Sequence, residues 1–169
     1  IKDIFMDYTS FYNKISKPYK ENRLLLFILR FIYYSFPVIT FILYIMMILY
    51  SFYYIDIQTC LKVVIIPFLT FVLVSVLRKI FNIQRPYEAV KISPLIPRSK
   101  DGESFPSRHT VSLGIIAMAG LNLNIYLGII LWAMTIIQGA VRVIAGVHYP
   151  KDIYCGIIIS VLSGISFFI

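Results

Sequence analysis

Two histidines, four arginines and one aspartate in this chain have the types and spacings that handle phosphate. In "RVIAGVHYPKD", residues 142–152, Arg142 comes six residues before His148, and Asp152 comes four after it. Across the start of a helix, that second separation lets the carboxylate reach one imidazole nitrogen. The contact fixes the tautomer and leaves the other nitrogen free as a nucleophile. In "ESFPSRHTVS", residues 103–112, Ser107 stands where a helix begins, and Arg108 and His109 follow it. A serine N-cap and the free backbone N–H groups beside it form an anion site, aided by the helix dipole. Arg108 adds a fixed cation suited to phosphate oxygens. His109 can give a proton to a leaving oxygen. In "RKIFNIQRPYE", Arg78 and Arg85 are seven residues apart, about two helical turns. Arg85 precedes proline, which takes it out of helical geometry and turns it back over the neighbouring site. Lys79 is next to Arg78, but adjacent helical residues point about 100° apart, so both cannot face one phosphate equally.

Each device also has a plainer use. Ser107 alone is a helix cap, and His109 alone is an interfacial packing residue. Asp152 suits a helix N-terminus and Arg142 a C-terminus. Arg78, Lys79 and Arg85 alone are a basic membrane flank. The plainer uses leave unexplained why all of these residues should fall on one face, with both histidines of the chain among them.

The elements that carry them put them there. The chain has 169 residues, 59% of them hydrophobic, and a mean hydropathy of +0.82. A soluble domain of this length cannot hide that much apolar surface, so the composition predicts an integral membrane protein. Residues 1–23 are too polar to span. Ile4, Phe5, Tyr8, Phe11, Tyr12 and Ile15 recur at helical spacing between Lys2, Asp3, Asp7 and Lys14. That pattern predicts an amphipathic helix on the membrane surface, ending at Pro18. It lacks the continuous apolar core of a cleavable signal peptide.

Residues 24–169 read as one membrane-embedded domain. The run Leu24–Tyr54 is apolar except for Arg30. It predicts a lead-in to the interface, then a span over about 31–54 with a kink at Pro37. Further spans are expected over about 59–80, 107–121, 125–142 and 151–168, with a polar loop over 81–105 and a turn at "GLNLN" (120–124). The fold class is therefore all-α: a polytopic transmembrane helical bundle of five spans plus the surface helix. A division of the first run at Pro37 would make six. Threading five spans places the ends carrying Arg78, Ser107, Arg142 and Pro150 on one face. The opposite face offers only Asp56, Lys62 and a few asparagines.

The net charge of +8 suits loops that face anionic lipid, or an anionic substrate. The bases are scattered between apolar segments rather than massed, which argues against nucleic acid as a partner. Cys60 and Cys155 lie in or near apolar segments and read as small core residues rather than a disulfide. The acids of the active face are Asp152, Glu88, Asp101 and Glu103, set among cations. A magnesium site normally needs carboxylates or substrate phosphates in a favourable field, so no metal and no cofactor are expected.

Taken together, the three segments resemble the signature motifs of the type 2 phosphatidic acid phosphatase superfamily, over roughly residues 60–168. That pattern is Lys, six residues, Arg-Pro; then Pro-Ser-Gly-His; then Ser-Arg, five residues, His, three residues, Asp. The chain matches Arg85-Pro86, Pro106-Ser107 and His109, and Arg142, His148 and Asp152 at the same spacing. It departs at three positions: Arg78 stands for the lysine, Arg108 for the glycine and Val141 for the serine. The resemblance implies a metal-independent phosphatase acting on a membrane lipid phosphate or diphosphate. His148 would attack phosphorus, Asp152 would orient it and His109 would protonate the leaving group. Arg78, Arg85, Ser107, Arg108 and Arg142 would hold the phosphate, with Lys79 secondary. It also favours a bacterial plasma membrane and a site on the extracytoplasmic face. The positive-inside tendency points the other way, because most Lys and Arg lie on the site's side. The outer face is the expectation taken here, since several of these cations would serve catalysis. Two other readings are a vanadate-dependent peroxidase site, which multiple spans disfavour, and a non-catalytic protein that binds anions or lipid headgroups. The histidine pair with Asp152 argues against the latter, because anion binding needs no oriented nucleophile.

Overall fold

The structure is a computed structural model that describes residues 2–90, 92–97 and 102–169, with side chains from Tyr8 onward. All regular structure among these residues is helical. Helix α1 covers Lys2–Glu21 and is strongly amphipathic. It runs a turn beyond the end expected at Pro18. Proline removes one N–H but can still accept a bond, and the Pro18 carbonyl accepts from the Asn22 N–H at 3.1 Å. Along α1, Phe11, Asn13, Lys14 and Lys17 are exposed, whereas Tyr12 and Ser16 are buried against the bundle.

Helix α2 covers Arg23–Tyr54. The Asn22 side chain caps it, accepting from the N–H groups of Leu24 and Leu25. Its 32 residues span roughly 48 Å at 1.5 Å per residue, longer than a hydrocarbon core of about 30 Å. The expected lead-in is thus part of the same helix, and the run does not divide at Pro37 into two spans. Pro37 leaves the Tyr33 carbonyl without its helical donor, and the side-chain amide of Gln138 donates to that carbonyl at 3.2 Å. Helix α3, Ile57–Phe81, starts at the Asp56 cap and uses the same solution. Its Pro67 frees the Val63 carbonyl, which accepts from the Tyr44 hydroxyl of α2 at 3.1 Å. Inside a bilayer a helix keeps an internal proline when a neighbour supplies the missing donor.

A short turn of helix, α4, covers Pro86–Ala89. Helix α5, Arg108–Leu123, is the central helix of the bundle. It packs on α2, α3, on α6 (Ile125–Ile144) and on α7 (Pro150–Gly164). Its residues Leu113–Gly120 are all buried, and small side chains let the partners approach. A Cβ on Gly120 would lie 3.1 Å from the Gly128 Cα of α6, the close small-residue contact that membrane helices favour. Asn124 separates α5 from α6 and caps α6 through the N–H groups of Tyr126 and Leu127. A short 3-10 turn, Ile165–Phe167, follows α7.

Among the described residues, four stretches are long and apolar enough to cross a membrane: α2, α3 with its extension, α6, and α7 with its 3-10 turn. The shorter α5 is enclosed by them. The architecture is thus the expected all-helical bundle behind an amphipathic N-terminal helix, with four stretches of spanning length around α5 where five spans were expected. Both cysteines are free.

Candidate active site

The end of α3 sets the first two arginines. Asn82 takes a left-handed conformation (φ 37°) and its N–H returns to the Arg78 carbonyl, so the helix stops one turn after Arg78. Arg78 points inward and is 3% exposed, while Lys79 on the same turn is exposed. The Arg78 guanidinium donates through Nη1 to the carbonyls of Ser104 (3.3 Å) and Pro106 (2.7 Å). Its Nη2 lies 4.0 Å from the Glu103 carboxylate, and its buried Nε has no protein partner. Arg85 is extended, as expected before proline. It turns back over the site, donating to the carbonyls of Gly102 (3.1 Å) and Val147 (3.2 Å). Glu88 holds the Gly102 N–H with both carboxylate oxygens.

The α6–α7 connection sets the histidine. Gly146 has φ +79°, a conformation that suits glycine, and a Cβ there would meet the Tyr12 ring at 2.9–3.0 Å. The turn places His148 at 2% exposure. Its Nδ1 lies 3.3 Å from Asp152 Oδ2. Asp152 is the third residue of α7, so the same oxygen reaches back to the Tyr149 N–H at 3.0 Å, half of a capping box. The Ser104 hydroxyl donates to it at 2.6 Å. Donors surround that oxygen, and the Asp152 backbone carbonyl takes the Ser107 N–H at 3.0 Å. Burial pushes the His148 imidazole down to about 4, with Arg85 and Arg142 adding to the fall and Asp152 opposing it. Burial thus favours the neutral form of the ring.

Arg142, in the last turn of α6, is buried over the Tyr33 ring at 4.5 Å and donates to the Tyr33 hydroxyl at 3.3 Å. The site thus gathers Arg78, Arg85 and Arg142 with His148, Asp152 and Ser107, all buried. Ser107 occupies the N-cap position of α5, but its hydroxyl accepts from Thr110 Oγ1 (3.0 Å) rather than from the helix N–H groups. Arg108 and His109 are only half-buried. They line a cavity of about 380 Å³ with Pro37, Thr40, Phe41 and Phe71, and the Arg108 guanidinium lies 5.6 Å from the Phe71 ring. Among the described residues no group of three or more His, Cys, Asp or Glu side chains could hold a metal ion. Asp101 lies outside the described residues.

The family model of the PAP2 superfamily matches residues 59–169. The chain belongs to the PAP2 superfamily. Over 84 residues it is 34% identical to undecaprenyl-diphosphatase BcrC of Bacillus subtilis strain 168. That match covers 50% of this chain and 43% of the relative, less than half its length. The crystal structure of Aquifex aeolicus LpxE superposes with a TM-score of 0.72 at 23% identity, covering 95% of this chain and 93% of that one. The first transmembrane PAP2 type phosphatidylglycerolphosphate phosphatase from Bacillus subtilis gives 0.67 at 21%, covering 95% and 84%. At these identities the two structures establish the fold. The PAP2 match begins at residue 59, so Tyr33, which touches Arg142, lies outside it.

Two further residues of the site are absent from the sequence reading. Ser104 sits in the irregular loop before α5, where no periodicity says which way a hydroxyl points. Gln138 carries a weak signal: it is the last polar side chain of an uncharged run and comes one helical turn before Arg142. Of the three departures from the PAP2 pattern, Val141 packs in an apolar cluster with Leu29, Tyr33, Leu95 and Val147. Arg108 stands at the rim rather than among the buried arginines.

The burial difference at the end of α3 has a kinetic consequence. Alanine at Arg78 should lower kcat/KM about a hundredfold, on the order of 3 kcal/mol for a lost charged contact in the transition state. Alanine at Lys79 should change it only about severalfold. Both variants are compared in one detergent with folding checked. A larger loss at Lys79 would assign the first motif's cation to the wrong residue.

Proposed function

We propose that the chain is an integral membrane phosphatase that hydrolyses a lipid phosphate or diphosphate through a phosphohistidine intermediate. The observation that carries this is a buried imidazole held by a carboxylate, with the buried Arg85 and Arg142 acting on it. Buried cations are costly unless paired, and Asp152 is the one buried carboxylate described beside them. A phosphate dianion matches this excess of cations and accepts the forks of the arginines.

In the proposed reaction the Asp152 carboxylate holds the proton on His148 Nδ1, and the Nε2 lone pair attacks phosphorus. The N–P bond forms as the P–O bond to the lipid breaks. His109 gives its proton to the leaving oxygen, then takes one from the water that cleaves the phosphohistidine. Arg78, Arg85 and Arg142 hold the non-bridging oxygens, and positioning with charge stabilisation does the rest. Ser107 and Arg108 complete the phosphate site from the start of α5. The substrate is a lipid because the cavity at Arg108 and His109 continues into a second one of about 410 Å³ along α2 and α3, through Phe41, Phe71, Ser112 and Ile116. An isoprenoid diphosphate, phosphatidic acid and phosphatidylglycerol phosphate all present a phosphate on such a tail. The cationic surroundings supply the charge that a metal would otherwise bring, and the site faces the extracytoplasmic side.

One experiment tests this reading. Purified protein in detergent is expected to release phosphate from at least one of these lipids, at the same rate with and without chelator. Intact cells expressing it are expected to hydrolyse an impermeant short-chain analogue. Loss of activity with chelator and recovery with a divalent metal would overturn metal independence. Hydrolysis only after lysis would place the site inside. No release from any lipid would leave the anion-binding reading in its place.

A further inference from the structure

Helix α2 lies before the PAP2 match, yet one of its residues makes three contacts with the site-bearing half of α6. Tyr33 is 2% exposed and Arg142 1%. The Arg142 guanidinium lies over the Tyr33 ring at 4.5 Å and donates to its hydroxyl at 3.3 Å. The Tyr33 carbonyl accepts from the fully buried Gln138. Gln138 and Arg142 are one turn apart, so they project from one stripe of α6. Pro37 makes the arrangement possible, since without an N–H it leaves the Tyr33 carbonyl open. A buried guanidinium on a long side chain has many rotamers, and a phosphate contact needs one of them. A face-on ring and a hydroxyl at its edge restrict both the plane and the direction of the fork.

We propose that Tyr33 is the positioning residue of Arg142, anchored by Gln138 and Pro37, so that α2 aims a phosphate contact supplied by α6. The proposal rests on the reading above that Arg142 binds the transferred phosphate. Packing alone would need neither the hydroxyl nor a buried amide within a membrane bundle, where each polar group must be satisfied.

The test uses the full chain in detergent, with two readouts: kcat/KM on a lipid phosphate the protein hydrolyses, and the Kd of inorganic phosphate by calorimetric titration. Tyr33→Phe keeps the ring and should lower kcat/KM about fivefold, and Tyr33→Leu about thirtyfold, each weakening phosphate binding in the same order. In an Arg142→Ala background, where no guanidinium remains to be aimed, Tyr33→Leu should change the phosphate Kd less than about twofold. An undiminished effect in that background would show that Tyr33 acts elsewhere and overturn the proposal. Should Tyr33→Leu fail to fold, Tyr33→Phe decides, because an unchanged Kd in that variant also overturns it. A wild-type protein that binds phosphate but hydrolyses no lipid would refute the proposed function alone, leaving the Kd series to judge Tyr33.

Discussion

Replacing His148 with alanine is expected to abolish phosphate release, with a loss on the order of 10⁵-fold, as when the nucleophile of a covalent mechanism is removed. The size follows from the geometry. His148 is held by a carboxylate, at 3.3 Å from Asp152 Oδ2, and it sits beside Arg85 and Arg142. In the proposed reaction His109, half-buried at the start of α5, is the proton donor rather than the nucleophile. The same variant should still bind inorganic phosphate, because the arginines remain. A His148→Ala protein that keeps within about tenfold of wild-type turnover would sink the phosphohistidine mechanism. Mass spectrometry of acid-labile phosphate after a rapid quench offers a direct check, with the adduct present in wild type and absent in the variant.

The imidazole also fixes the sign of the pH dependence. Attack needs the neutral ring, and burial pushes His148 from 6.5 down to about 4. The nucleophile is therefore available above about pH 4, and its acid limb lies below that of an ordinary histidine. A fall in kcat/KM between pH 5 and 7 would belong to another group. The depressed value is also linked to stability. The folded state keeps the ring neutral where the unfolded chain would protonate it. Stability from this group is fully present above about 6.5 and is lost as pH falls towards 4.

The second large effect is expected at Asp152→Asn, about 10³- to 10⁴-fold in kcat, the range seen when the carboxylate behind a catalytic histidine becomes an amide. Asp152 Oδ2 takes three donors: the His148 ring, the Ser104 hydroxyl and the Tyr149 N–H. An asparagine oxygen facing Ser104 and Tyr149 would hold the loop but without a full charge. An amide nitrogen facing His148 would donate to Nδ1 and move the ring proton to Nε2, the nitrogen that must attack. The first orientation keeps all three donors and weakens only the charge behind the histidine, whereas the second disarms the histidine and also gives up the Tyr149 N–H on the same oxygen. Near-normal phosphate binding with kcat reduced is the expected pattern. A change confined to KM would mean that Asp152 serves the phosphate site rather than the nucleophile.

How much of this was legible beforehand divides along a physical line. Apolar runs of spanning length and the turn at 120–124 act over a few residues. They determined the helical elements and most of their boundaries. The His148–Asp152 pairing was legible for the same reason: four residues across a helix start bring the two side chains together whatever surrounds them. Contacts between distant segments were not legible. Pro37 reads only as a kink, and Gln138, 105 positions from the carbonyl it satisfies, supplies the donor. Tyr12 reads as one face of a surface helix until it packs against Gly146 and donates to the Ser93 carbonyl, 81 positions away. Ser104 on Asp152, Tyr33 under Arg142 and the commitment of Arg78 to the Ser104 and Pro106 carbonyls are of the same kind. Local periodicity orders residues along a helix, but a buried polar group takes whichever partner the packing brings within about 3 Å. The helices and the chemistry of single motifs are therefore written in the chain, and the tertiary structure alone decided which polar groups surround them.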